Sequence, residues 1–132
     1  MASIFTRIIN REIPAQIIAE DERFIAILDI MPLVHGHTLV IPKQETDFIF
    51  DLDGETLGAL MRFAQPVARA VRKAVPCQRI GVSVIGLEVP HTHVHLVPIN
   101  SADDLNFTRP KLKPSPAELS AVADKIRAAL AE

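Results

Sequence analysis

Apolar and polar positions along the chain follow two rhythms. Between residues 15 and 43 the apolar residues come in short runs, "AQIIAE" (15–20), "FIAILDI" (24–30) and "HTLVIPK" (37–43), parted by the turn-rich "DER" and "MPLVHG". These predict three strands. From Glu55 the residues Leu57, Leu60, Met61, Ala64, Val67, Ala68, Val71 and Val75 recur at three- and four-residue steps, which is the period of a helix. Pro66 lies inside that helix without an amide hydrogen to donate, so a kink or a break is expected there. The period of two then returns in "QRIGVSVIG" (78–86) and "THVHLVPI" (92–99), two strands expected to be hairpin neighbours across a tight "GLEVP" connection. A short helix over "IFTRIINREI", capped by Ser3 and closed by Pro14, opens the chain. "SPAE" (115–118) supplies a capping serine, a proline for the first helical position and a glutamate three residues on, so the last helix runs from 116 to about 130. The one long irregular stretch is 100–114, of the kind that carries function or wraps a neighbour.

The chemistry gathers in "PHTHVHLVPI" (90–99), which holds three of the five histidines. On a strand, His91, His93 and His95 share one face, with Thr92, Val94 and Leu96 on the other. Imidazoles packed side by side depress one another's pKa, and burial adds to the effect, so some of them are expected to be neutral near pH 7. Three uses fit such a row: ligands for a metal, a nucleophile for an electrophile such as phosphorus, or a binding surface that only holds an anion. The metal reading lacks support, since no cysteine cluster accompanies the row and only His35, His37, Glu88 or an aspartate could complete a structural site. No metal and no cofactor are predicted.

Composition narrows the rest. With 132 residues and 48% hydrophobic content, the chain can fill one core, so residues 1–132 are read as a single domain. A net charge of −2 with no basic run leaves no groove for a nucleic acid. Cys77 stands alone, and neither an export pattern nor a long apolar run is present, which predicts a soluble cytoplasmic protein away from membranes. Cys77 itself reads as a small buried hydrophobe.

"HTHVH" preceded by "GLEVP", together with "DIMPLVHGHTLVIPK", resembles the histidine triad (HIT) family, and its Hint-like branch in particular; the likeness runs from "IFTRIINREI" through the triad. It implies an α+β, HIT-like fold with an antiparallel sheet of about five strands, one long helix and one C-terminal helix. It also implies a two-fold homodimer and a hydrolase of purine nucleoside monophosphate conjugates, of phosphoramidate or dinucleoside polyphosphate type, working through a nucleotidyl-histidine intermediate. The resemblance makes His93 the nucleophile and gives His91 the part of orienting it through the backbone carbonyl. His95 and His37 would contact the phosphate. Ile4, Phe5, Ile8, Ile27, Leu28, Asp29 and Ile30 would line the nucleoside pocket, with Asp29 on the ribose hydroxyls. Read without the resemblance, Asp29 caps the turn before Pro32, and Ile4, Phe5 and Ile8 are a helix face packed on a core. Two departures stand out: Leu87 and Ser83 occupy places where many relatives carry a glutamine and an asparagine, and Glu88 replaces a small hydroxyl residue. Ser83 and Glu88 are still counted toward the nucleotide site. In a site meant for an anion, a carboxylate at position 88 either stays protonated or faces a leaving group that brings a positive charge or a proton. His35 reads as a solvated loop side chain. The rival function is a nucleotide-binding or scaffold protein with little turnover.

Overall fold

The structure, a computed structural model, describes residues 2–132. In chain order the elements are α1 (Ile4–Ile9), β1 (Ile17–Glu20), β2 (Phe24–Leu28), β3 (Thr38–Pro42), α2 (Gly54–Ala74), β4 (Arg79–Ser83), β5 (Val94–Ile99) and α3 (Pro116–Leu130). The strands form one open α+β sheet in the order β1-β2-β3-β5-β4, every neighbouring pair antiparallel.

Both faces of the sheet are covered, and the strand sequences show why. Phe24, Ala26 and Leu28 alternate with Ile25 and Ile27 along β2; the first set packs with Val40, Val94, Leu96 and the buried stripe Leu60, Ala64, Val67 and Val71 of α2, together with Ala123 and Ile126 of α3. The second set packs with Leu39, Ile41 and the α1 residues Phe5 and Ile8. A strand buried on both faces needs apolar residues or satisfied polar ones at every position; β2 is apolar throughout, and in β3 the one polar side chain, Thr38, donates to Gly36 O at 2.9 Å.

Helix α1 has only six residues, too few to hold itself together in water. Burial of Phe5 and Ile8 contributes about 1.5–3 kcal/mol each, and the Ser3 side chain caps the helix by accepting from Thr6 N. The apolar pattern runs on to Ile13, but the helix stops at Ile9: Arg11 takes up a left-handed conformation (φ 62°) and Glu12 N donates to Arg7 O at 2.8 Å. Helix α2 runs through Pro66 without breaking in two; Pro66 and Arg62 are both exposed, so water can reach the Arg62 carbonyl that loses its intrahelical partner. Among the described residues no helix is long and apolar enough to cross a membrane. Cys77 is half-buried rather than a core residue.

The hairpin β4–β5 departs most from expectation. Its connection is not a tight turn but spans residues 84–93, and β5 begins only at Val94. His91 and His93 therefore precede the strand, and His95 alone lies on it. The ladder between β3 and β5 ends at Val40 and Val94. Pro42 has no amide to continue it, and Thr92 N turns instead to Thr46 O at 2.7 Å.

After β5 the chain folds back as a strap, residues 100–114. A single turn of 3-10 helix (Ala102–Leu105), closed by a Ser101–Asp104 capping box, starts it. Leu105 then packs on Gly81 of β4, where a Cβ would lie 2.5 Å from Leu105 Cδ1. Leu112 N donates to Pro32 O at 2.9 Å and ties the far end to the loop after β2.

Candidate active site

Cross-strand register builds the floor of the site. Ile27, Leu39, His95 and Ser83 are successive partners across β2, β3, β5 and β4, and so share the face that carries α1. Above this row lies a cavity of about 420 Å³. Ile4, Phe5 and Ile8 of α1 wall one side; Ile27, Leu28, Asp29 and Ile30 bring the end of β2 to it; Glu88, His93, His95, Phe107 and Lys111 make its polar end.

Hydrogen bonds set the tautomer of each imidazole. His93 Nδ1 donates to the carbonyl oxygen of His91 at 2.7 Å, which leaves Nε2 with its lone pair in the neutral ring. His37 Nδ1 accepts from Leu33 N at 3.1 Å, so its proton sits on Nε2 and is donated to His95 Nδ1 at 2.9 Å. His95 then carries its own proton on Nε2. No buried side-chain nitrogen or oxygen among the described residues lacks a partner. The Nε2 atoms of His93 and His95, which have no partner among the described residues, are left for the cavity that both residues line: one a lone pair, the other a donor.

Electrostatics agree with these tautomers. Burial, then the neighbouring His95, Lys111 and His93, push His37 down to about 3. Burial, His93 and Lys111 push His95 down to about 4. Both rings are neutral at pH 7. The ring edges are packed as well, since Phe5 meets His93 at 4.9 Å and Phe107 meets His95 at 4.6 Å between centroids.

His91 faces elsewhere. Its ring is fully buried, donating from Nε2 to Pro42 O at 2.7 Å and accepting at Nδ1 from Ser3 Oγ at 2.6 Å. Burial lowers its pKa, so it too is neutral. Only its carbonyl reaches the site. Glu45 braces the same corner, its Oε1 accepting from Ser3 N and Thr6 Oγ1 at 2.7 Å each.

Asp29 serves two directions at once. Oδ1 accepts from Met31 N at 2.9 Å, closing the turn before Pro32, while Oδ2 lies 3.8 Å from His37 Nε2 and the residue lines the cavity. Burial holds this carboxyl above its ordinary range.

Asp29, His37 and His95 also bring one ligand atom each to within 4.8 Å of one another, a spacing that a metal ion could use. The tautomers oppose it. A metal on His37 Nε2 would put a proton on Nδ1, facing the Leu33 N–H that this atom now accepts.

Of the residues expected from the sequence, Ile4, Phe5, Ile8, Ile27, Leu28, Asp29, Ile30, Glu88, His93 and His95 line one cavity. His37 supports His95 from behind, and His91 contributes backbone only. Ser83 is opposite His95 in register but does not line the cavity. Sequence reasoning missed Phe107 and Lys111, both in the irregular stretch after the triad, and Ser3, read only as a helix cap. The length of that stretch was the available signal; nothing local ties Ser3 to a histidine 88 positions away.

Fold and site together define a class: open antiparallel α+β proteins whose cavity ends in histidines from one strand and the loop that leads into it. The chain belongs to the HIT family, the family model described as HIT domain matching residues 10–102. It is 30% identical over 132 residues to an adenosine 5′-monophosphoramidase of Schizosaccharomyces pombe, covering 96% of each chain. Among solved structures it is similar to a Hit-like protein of Bartonella henselae involved in cell-cycle regulation, with TM-score 0.83 and 36% identity over 96% of this chain and 95% of that one. It is similar also to a zinc-bound histidine triad family protein of Mycobacterium smegmatis, with TM-score 0.83, 34% identity and coverage of 99% and 94%.

Proposed function

We propose that the protein hydrolyses conjugates of purine nucleoside monophosphates through a nucleotidyl-histidine intermediate. The observation that carries this reading is the bond from His93 Nδ1 to the His91 carbonyl, which leaves a lone pair on Nε2 at the cavity wall. His93 Nε2 attacks the α-phosphorus and a P–N bond forms as the bond to the leaving group breaks. The leaving group departs with the electron pair and takes up a proton from solvent. Water then attacks phosphorus and gives up a proton to solvent, the P–N electron pair returns to Nε2, and the nucleoside monophosphate is released. While phosphorylated the ring is cationic, and the His91 carbonyl goes on accepting from Nδ1 to offset that charge. His95 Nε2–H, backed by His37, donates to the phosphate as charge grows on it. The apolar wall from α1 and β2 suits a purine, and the free Asp29 Oδ2 suits a ribose hydroxyl.

Glu88, an exposed carboxylate at the polar end, favours an amine over a second phosphate as leaving group, so phosphoramidates are the preferred substrates. The chain acts without a metal, because the His37 tautomer opposes one. It works as a two-fold dimer, discussed below, in the cytoplasm, where the lone half-buried Cys77 meets reducing conditions.

Incubation with an adenosine 5′-phosphoramidate is expected to release AMP, and rapid quenching to trap an acid-labile nucleotidyl group on His93. His93→Ala is expected to abolish turnover while AMP affinity stays within a few-fold. Turnover that survives His93→Ala overturns the mechanism; AMP binding by wild type without AMP release would leave a nucleotide-binding protein.

A further inference from the structure

At neutral pH the cavity is short of positive charge. Its wall carries two carboxylates, Asp29 and Glu88, and His95, held neutral by burial and its neighbours, offers a hydrogen bond rather than a full countercharge. A nucleoside phosphate entering such a site would meet repulsion unless a cation were present. Lys111 is the one lysine or arginine on the cavity wall.

Its surroundings set it apart from its neighbours on the strap. Arg109 is spent on the carboxylates of Asp103 and Asp104, at 3.6 and 3.1 Å. Lys111 has no carboxylate within 4 Å among the described residues; its Nζ donates to the carbonyls of Phe107 and Arg109 and lies 5.8 Å from the centre of the Phe107 ring. Two acceptors leave one of the three ammonium hydrogens free. The side chain is half-buried, so its charge is less screened than that of a solvated lysine. The strap that carries it is fastened at both ends, by Leu105 on Gly81 and by Leu112 N on Pro32 O, and Phe107 rests on His95 between them. Its charge already reaches into the site, helping to keep His37 and His95 unprotonated.

We infer that Lys111 is the phosphate-recognition residue of this cavity, its ammonium pairing with a non-bridging oxygen of the substrate's α-phosphate and so selecting nucleotides over nucleosides. This rests on the nucleotide reading above and adds to it a residue outside the triad. It also divides the labour between the two formal charges at the polar end, with Lys111 on the phosphate and Glu88 on the departing amine.

The test is calorimetric titration of the full chain with AMP and with adenosine, for wild type, Lys111→Met and Lys111→Arg, with melting temperatures to check folding. Wild type is expected to bind AMP more tightly than adenosine. Lys111→Met should weaken AMP about tenfold or more, the loss of a charge-assisted hydrogen bond, and leave adenosine unchanged. Lys111→Arg should restore part of the difference, and the salt dependence of AMP binding should be shallower in Lys111→Met. If wild type prefers AMP and Lys111→Met keeps that preference, the assignment of Lys111 is wrong while the nucleotide reading stands. If wild type does not distinguish AMP from adenosine, both are wrong.

Discussion

At the scale of single residues, the site is a set of tautomers fixed by backbone groups. One carbonyl, His91 O, and one amide, Leu33 N, decide which nitrogen of His93 and His37 holds a proton, and His95 follows from His37. Holding these rings neutral links protonation to stability. His37 and His95 titrate at about 3 and about 4 when folded, whereas an unfolded histidine titrates near 6.5. Above pH 6.5 neither state is protonated, and stability does not respond to these groups. Below it the unfolded chain takes up protons that the folded chain refuses, so stability falls as pH drops toward 4. Asp29, raised by burial, works in the opposite sense at the acidic end. Urea unfolding is expected to show stability falling from pH 6.5 to pH 4.5 by up to about 1.4 kcal/mol per pH unit for each of the two histidines, with a shallower slope in His37→Asn. Equal stability at pH 7.5 and pH 5 would contradict the neutral pair.

At the scale of elements, α1 and the strap do more than close the core. Ser3 begins α1 and also donates to His91 Nδ1, so the same hydroxyl holds the helix end and the residue whose carbonyl orients His93. Ser115 offers a comparison, since it caps α3 without a buried partner. Ser115→Ala is expected to cost about 1 kcal/mol. Ser3→Ala should cost about 1–3 kcal/mol more, because the buried His91 nitrogen is left without a donor, and should lower turnover as well. Equal losses in denaturant titrations of the two variants would mean that the Ser3–His91 bond does nothing for stability. The cap at Ser115, the helix period of α2 and the paired strands were all readable from local sequence. The end of α1 and the start of β5 were not, because a Schellman-type bond at Arg7 and the absent amide of Pro42 decide them.

At the scale of the whole molecule, the open sheet ends in two edge strands, β1 and β4, and exposed apolar residues gather around the β4 end. β4 is paired on one side only; its Val82 is 51% exposed, and Val84, Ile85 and Leu87 (89%) of the connection that follows, with Met61 of α2, are also at the surface. An open edge flanked by apolar side chains invites a second copy of the same surface, related by a two-fold axis. Sedimentation at micromolar concentration is expected to give the mass of two chains, and Val82→Lys to shift it toward one. A single-chain mass for the wild type would count against the dimer.

What the sequence determined by itself is whatever nearest neighbours along the chain decide: the strand runs, the α2 stripe, the Ser115 cap, and three histidines at alternate positions. Its family signature also pointed to most of the cavity wall. The tertiary structure decided which side of those residues is used. His37 meets His95 across 58 positions only because β3 and β5 pair, and His91 turns its ring to Ser3 only because α1 packs on the face of the sheet that carries the site. Lys111 and Phe107 reach the cavity only because the strap doubles back over β4. Such closures depend on long-range packing and on hydrogen-bond partners distant in the chain, and no local periodicity records them.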